Sequence, residues 1–505
     1  MAQQDIRVVV LGAGMAGVME AIKEIHIGME DGAGMAGILA GIKLQEMGID
    51  NVTIYEKADR IGGTWRENSY PGLTCDTPSH HYTYKFQRNP DWSRFLPPGQ
   101  EIQAYFEHVV AKYGVDKLIR FNQEASSAEF VDGRWQLAFN SGLTDSADVI
   151  IAATGVLHHP RYPDIPGMDS FKGDLFHSAR WDHGVALDGK RIGVIGNGST
   201  GVQIISALAG RMAKLEHYQR TAQWIMPVDN APYSDEERAS FQDPEVLAEA
   251  MNFAQYNQNV DAYTQAIINI DSEEYRFWAD ACRQNLEQSV RDPKLKEKLR
   301  PDHLPMCKRL VFSPDYYEAI QHPDSTLVTE GIERIEDKGI RTRDGELHEL
   351  DIIVLATGFD SGAFMRPMQI RGRNGMDLET LWAEHPKAYM AISMPDFPNF
   401  FMLNGPNGPV GNFTLVDIAE HQWIYIAQLL EKLRRGEASS IAPSVEAMEN
   451  FEAARAEAAK QTVWYKGGCN SWYLDAQGIP ASWPWTYYRF VEMMAEPDWS
   501  AFELT

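Results

Sequence analysis

Ile6-Arg7-Val8-Val9-Val10-Leu11-Gly12-Ala13-Gly14-Met15-Ala16-Gly17 is the stretch that decides the fold. Its first half is a β-branched apolar run of the kind buried on both faces of a parallel sheet. Its second half is a G-x-G-x-x-G loop entered directly from that strand. In a strand–loop–helix unit, Gly12 makes the tight turn and Gly14 lets backbone approach a pyrophosphate. Gly17 lets helix and strand pack closely. The helix that follows turns unpaired N–H groups toward the phosphates. Asn51-Val52-Thr53-Ile54-Tyr55-Glu56 reads as the next strand, and Glu56 at its end suits ribose hydroxyls.

The segment is duplicated. Gly12–Asp31 and Gly32–Asn51 are tandem 20-residue copies with nine identical positions, including all of Gly-Ala-Gly-Met-Ala-Gly. Gly32, Gly34 and Gly37 therefore repeat Gly12, Gly14 and Gly17. Gly32 lies 24 positions before Glu56, close to the usual spacing, whereas Gly12 lies 44 before it. The second copy also makes the better buried helix, with Ala40, Gly41 and Leu44 where the first has Glu20, Ala21 and Glu24. Two arrangements are open. Either the first loop binds the nucleotide and the second copy is extruded before Val52, or the first copy is extruded and the second binds. Continuity from strand to loop favours the first copy, and a chain whose repeat disturbs the site is the contrary expectation.

A second unit follows. Lys190-Arg191-Ile192-Gly193-Val194-Ile195 leads into Gly196-Asn197-Gly198-Ser199-Thr200-Gly201, with Gln203 on the ensuing helix. Arg220 stands 24 positions after Gly196, where an arginine pairs with the 2′-phosphate of NADP, and Thr221 adds a hydroxyl. Asp148–Gly155 and Asp351–Asp360 are apolar strands with Ala-Thr-Gly exits, as expected of links between two nucleotide domains. Two such units indicate a flavoprotein with a nicotinamide partner. The expected fold is α/β, with two Rossmann-like domains for FAD and NADP and a helical insertion. The FAD domain takes 1–152 and 357–505, the NADP domain 153–228 and 304–356, and the insertion 229–303. A helix is expected over Val416–Arg435.

The composition suits a soluble globular chain of 505 residues, about three domains long. A net charge of −25 argues against nucleic acid or an anionic membrane as partner. No apolar run approaches about 18 residues, so no membrane insertion is expected. Met1-Ala2-Gln3-Gln4 runs into the first strand without a signal peptide, and Cys75, Cys282, Cys307 and Cys469 form no C-x-x-C pair. Both features fit a reducing, cytoplasmic setting. His80-His81 and His158-His159 lack further ligands at suitable spacing, so no metal is expected.

Two longer motifs narrow the reading. Phe171-x-Gly173-x-x-x-His177-x-x-x-Trp181-Asp182 precedes the second glycine loop, and Gly63-x-Trp65-x-x-x-x-Tyr70-Pro71-Gly72-x-x-x-Asp76 follows the first. Together they resemble the fingerprints of the type I Baeyer–Villiger monooxygenases, and the resemblance extends from Asp5 to the tryptophan-rich carboxyl end. It implies an enzyme that uses FAD, NADPH and O2 to turn a small ketone into an ester or lactone through a C4a-peroxyflavin, with sulfoxidation as a side activity. By the same resemblance Arg309 of Lys308-Arg309 is catalytic, stabilising a negatively charged adduct. Asp76 holds it, Lys308 binds the NADP phosphate, and Trp472 covers nicotinamide and substrate. Thr64, Trp65 and Tyr82 line the flavin. His177 is read as organising the interdomain linker with Phe171, Gly173 and Trp181, rather than as a base. Trp464, Trp483 and Trp485 are read as core. The alternative is a flavin monooxygenase acting on nitrogen or sulfur, against which Trp181-Asp182 argues.

Overall fold

The computed structural model describes residues 4–12 and 33–505. Two five-stranded, all-parallel sheets dominate it. The first runs in the order Phe400–Met402, Val149–Ala152, Val8–Leu11, Val52–Tyr55, Ile119–Arg120. The second runs Ser325–Val328, Lys214–Tyr218, Arg191–Ile195, Ile352–Leu355, Asp174–His177. Val8, Val9, Val10 and Leu11 are all fully buried, as a central parallel strand requires. A mixed sheet packs on the first unit: Ala125–Val131, Arg134–Phe139 and Thr144–Ala147 run antiparallel, and Gln369–Arg371 joins Ala125–Val131 in parallel. Between the sheets' contributions, residues 235–299 form five helices, of which Phe253–Ile268 and Glu273–Ser289 are the long ones. The expected carboxyl-terminal helix is Leu415–Arg434.

The helix that lies on the first sheet is Met35–Glu46, which belongs to the second copy. This corrects the preference for the first copy. Strand Val8–Leu11 ends at Gly12, whose N–H donates to Tyr55 O at 3.3 Å, and description resumes at Ala33. The reason is packing. Ala40 and Leu44 are fully buried, and a Cβ on Gly41 would lie 2.8 Å from Ile54 Cδ1. In the same register the first copy would put Glu20, Ala21 and Glu24 at those three positions, setting two carboxylates against a buried face. Gly14, Gly17 and Gly32 lie outside the described residues.

The turn after Leu415–Arg434 receives both outer segments of the chain. Gln4 N–H donates to Arg434 O at 2.8 Å, and Thr505 N–H donates to Ser440 O at 3.2 Å. No helix among the described residues is long and apolar enough to cross a membrane.

The cysteine reading is also corrected. Cys307 and Cys469 form a disulfide, while Cys75 and Cys282 are free and buried. The bonded pair is 162 positions apart, so no local spacing announces it.

Candidate active site

Two helix N-termini face the clefts above the sheets, at Gly34 and Gly198, and neither has a side-chain cap. Their leading N–H groups are therefore left for an anion. In the second unit each glycine has its own reason. Gly196 has φ +113, and a Cβ there would sit 2.2 Å from Ala356 O. At Gly198 a Cβ would meet nothing within 4 Å, which is the space a pyrophosphate needs. At Gly201 it would lie 1.9 Å from Gly196 O, so only glycine lets the helix close on the loop. Ser199 and Thr200 open that helix.

At the far end of strand Lys214–Tyr218, Arg220 and Thr221 are exposed. Lys308 Nζ donates to Thr221 Oγ1 at 2.7 Å. Burial and the neighbouring Arg220 lower the Lys308 pKa, with Asp302 opposing them. Two cations crowded about a hydroxyl suit a phosphate monoester.

In the first unit Glu56 is fully buried at the end of strand Val52–Tyr55. Its Oε2 accepts from Ala33 N–H at 2.7 Å, and its Oε1 from Ala58 N–H at 2.9 Å and Arg66 Nη1 at 3.3 Å. One acceptor site remains on Oε2 for a ribose hydroxyl. Gly62 N–H reaches Ala33 O at 3.0 Å, closing the Gly62-Gly63 turn onto the start of helix Met35–Glu46. Thr64 opens the short helix Thr64–Glu67. Trp65 Nε1 donates to the buried Tyr82 hydroxyl at 3.0 Å, with the rings edge to face.

Arg309 and Asp76 meet. Nε and Nη2 of Arg309 both donate to Asp76 Oδ2, at 2.9 and 2.6 Å. Burial opposes the guanidinium charge, but Asp76, Tyr473 and Tyr263 outweigh it and raise the Arg309 pKa. The pair is not sealed, since 34% of the Arg309 side chain and 22% of Asp76 stay exposed. Tyr82 lies within the field of both charges, though burial is the main cause of its raised pKa. Tyr473, itself buried, interacts with Arg309 and stacks between Trp464 and Trp472, at 4.6 and 4.1 Å. Trp472 is 44% exposed, whereas Trp464 and Trp483 are buried.

The fingerprint residues sit at and around Asp174–His177, the edge strand of the second sheet. His177 Nδ1 accepts from Ala179 N–H at 3.1 Å, so its Nε2–H donates to Gly358 O at 3.1 Å. Burial lowers its pKa to about 4, and neither nitrogen is left to act as a base. A Cβ on Gly173 would lie 2.2 Å from Asp351 O. Phe171 and Trp181 are buried, Trp181 edge-on to Phe176.

Sequence reasoning missed two further links. Arg180, inside the fingerprint, pairs with Glu67 at 2.6 Å; Glu67 pairs with Arg66, and Arg66 with Glu56. Gln203 accepts from the Tyr70 hydroxyl at 2.9 Å and donates to Thr74 O and Oγ1 at 3.1 Å. It thus ties the loop of Asp76 to the second unit's helix, where Gly72 (φ +81) leaves room for Gln203 O. The signal was present in part, since Arg180 and Tyr70 lie within the two motifs.

Comparison with known proteins agrees with this geometry. The model of the pyridine nucleotide-disulphide oxidoreductase family matches residues 32–235, beginning at the first glycine of the second copy. An uncharacterized monooxygenase of Mycobacterium bovis is 47% identical over 442 residues, 88% of each chain. A Baeyer–Villiger monooxygenase of Streptomyces coelicolor is 34% identical over 494 residues, 96% of this chain and 90% of that one. The solved OTEMO complex with FAD and NADP has a TM-score of 0.84 at 26% identity over 100% of both chains. Fold and clefts together define an oxidoreductase that carries FAD and NADP. Within that class, the chain belongs to the Baeyer–Villiger monooxygenases.

Proposed function

We propose that this enzyme uses NADPH and O2 to convert a small ketone into an ester or lactone. The observation that supports the reading is the Arg309–Asp76 pair, a fixed and partly exposed positive charge beside Trp65 and Tyr82. FAD, once reduced by NADPH, supplies the activated oxygen. The protein's part is to place charge and exclude water. When the ketone carbon is attacked, its oxygen becomes negative, and Arg309 is there to stabilise it. A guanidinium stays charged at any working pH, so it does this without giving up its proton. Asp76 fixes its plane and prevents a buried unpaired charge.

In this reading Lys308, Arg220 and Thr221 hold the 2′-phosphate, and the N–H groups after Gly198 hold the NADP pyrophosphate. Ala33, Gly34 and Glu56 hold the FAD diphosphate and ribose, with Thr64, Trp65 and Tyr82 at the flavin ring. Trp472 covers the nicotinamide side.

The test is a ketone panel with NADPH in air, scored for ester against NADPH consumed. Wild type is expected to form one ester per NADPH with its preferred ketone. Arg309→Ala should keep flavin bleaching by NADPH and lose ester formation by about 10²–10³-fold. Ester formation by Arg309→Ala near the wild-type rate sinks the assignment.

A further inference from the structure

The disulfide lies at the active site. Cys307 immediately precedes Lys308-Arg309, and Cys469 stands three residues before Trp472. The bond fastens the segment that carries the two cations to the segment that carries the exposed indole. The Cα atoms are 6.0 Å apart, a separation a disulfide spans without moving the backbone. Gly467 permits the approach, because a Cβ there would lie 2.6 Å from both Cβ and Sγ of Cys307. Leu304 N–H donates to Gly467 O at 2.9 Å, and Cys469 N–H points to Cys307 Sγ at 3.2 Å. Both contacts flank the bond and bring the two segments to disulfide distance.

Beyond the disulfide, residues 468–472 are held by Leu474 N–H on Ser471 O at 3.2 Å and by the stack of Trp472 on Tyr473. Gly468 takes a left-handed φ of +77 with open space around it, and the buried Ser471 Oγ has no hydrogen-bond partner. Cys307 is fully buried and Cys469 half-buried, so Cys469 is the residue of the pair that solvent reaches.

We propose that Cys307–Cys469 is a reversible redox clamp on the nicotinamide side of the active site. Oxidised, it holds Trp472 and Tyr473 against the Lys308-Arg309 segment. Reduced, it frees residues 468–472 and speeds nicotinamide exchange. This rests on the placement of Lys308 and Trp472 at the NADP cleft. The oxidant is a hydroperoxide, and hydrogen peroxide itself forms from reduced flavin and O2 whenever no ketone takes the oxygen. The Cys469 thiolate attacks one peroxide oxygen, the O–O bond breaks, and water leaves a sulfenic acid. The Cys307 sulfur then attacks that sulfur, the S–S bond forms, and a second water leaves. Two thiols lose two electrons and two protons, and one H2O2 becomes two waters. A dithiol reverses the step by exchange. Idle turnover thereby closes the enzyme that produces the peroxide.

The experiment uses holoenzyme reduced with dithiothreitol, desalted, and treated or not with hydrogen peroxide. Alkylation in denaturant followed by mass measurement counts thiols, while protease cleavage between residues 465 and 472 and NADP⁺ release report on the loop. Expected are four alkylations when reduced and two after peroxide. Peroxide should also slow loop cleavage and slow NADP⁺ release about fivefold or more. Dithiothreitol should restore both, and Cys469→Ser should respond to neither reagent. Four alkylatable thiols after peroxide overturn the clamp, as does equal loop cleavage in the two states. A protein that binds no NADP⁺ sinks the cleft assignment instead, and thiol count with loop cleavage still decides the clamp.

Discussion

The two nucleotide units solve one packing problem with unequal sequence. The second passes from strand Arg191–Ile195 to helix Ser199–Leu208 through one glycine loop. The first has two such loops in tandem, yet it takes its helix from the copy farther from the strand. What differs between the copies is the side chains their helices offer the sheet, since both carry the same Gly-Ala-Gly-Met-Ala-Gly. Compatibility with a buried face outweighs continuity of the chain.

The sharpest way to break this comparison is to excise each copy in turn. Deleting residues 13–32 joins Gly12 to Ala33 and leaves one intact loop with the observed helix. That variant should purify with a full complement of FAD. Deleting residues 32–51 leaves the first copy and puts Glu20, Ala21 and Glu24 against the sheet. It should lose FAD and soluble expression, because each unpaired buried carboxylate costs on the order of several kcal/mol. Equal FAD content in the two variants refutes the packing argument.

Single glycines sharpen it. Gly201→Ala sets a Cβ 1.9 Å from a backbone oxygen and should cost about 3 kcal/mol in urea unfolding. Gly41→Ala meets the mobile end of Ile54 at 2.8 Å and should cost about 1 kcal/mol. The reverse order would mean that the first unit is the more tightly fitted. Lys308→Ala probes the second unit alone. It should raise the KM for NADPH about tenfold, leave the KM for NADH and the FAD content unchanged, and so show that the units bind independently.

The smallest effect calibrates the cost of a carboxylate in the layer the repeat avoids. Glu420, on helix Leu415–Arg434, is pushed up to about 7 by burial, from an ordinary value of 4.5. Below pH 4.5 folded and unfolded chains are both protonated there. Between 4.5 and 7 the unfolded chain releases the proton first, so stability falls as pH rises through that window and is level above it. Glu420→Gln keeps an acceptor for Lys85 N–H and should gain about 1 kcal/mol at pH 8 and nothing at pH 4. A gain equal at both pH values would place the cost elsewhere.

The strands and glycine loops were legible because period and spacing are local properties. Arg309 and Asp76 were legible only through motifs, since their 233-residue separation leaves no local trace. The Cys307–Cys469 bond and the Glu56–Arg66–Glu67–Arg180 chain of ion pairs were not legible at all. Both depend on which segments the fold brings together. Glu20 and Glu24 carry the choice between the glycine copies, because burying them costs more than continuity from strand to loop supplies.

The turn that receives Gln4 and Thr505 gives the repeat a meaning for connectivity. Gln4 and Thr505 both lie beside residues 434–440, while Gly12, just after strand Val8–Leu11, and Ala33, just ahead of helix Met35–Glu46, are separated by 20 residues in sequence. What the duplication changes is the sequence distance between strand Val8–Leu11 and helix Met35–Glu46, and the sheet that both serve takes no account of it.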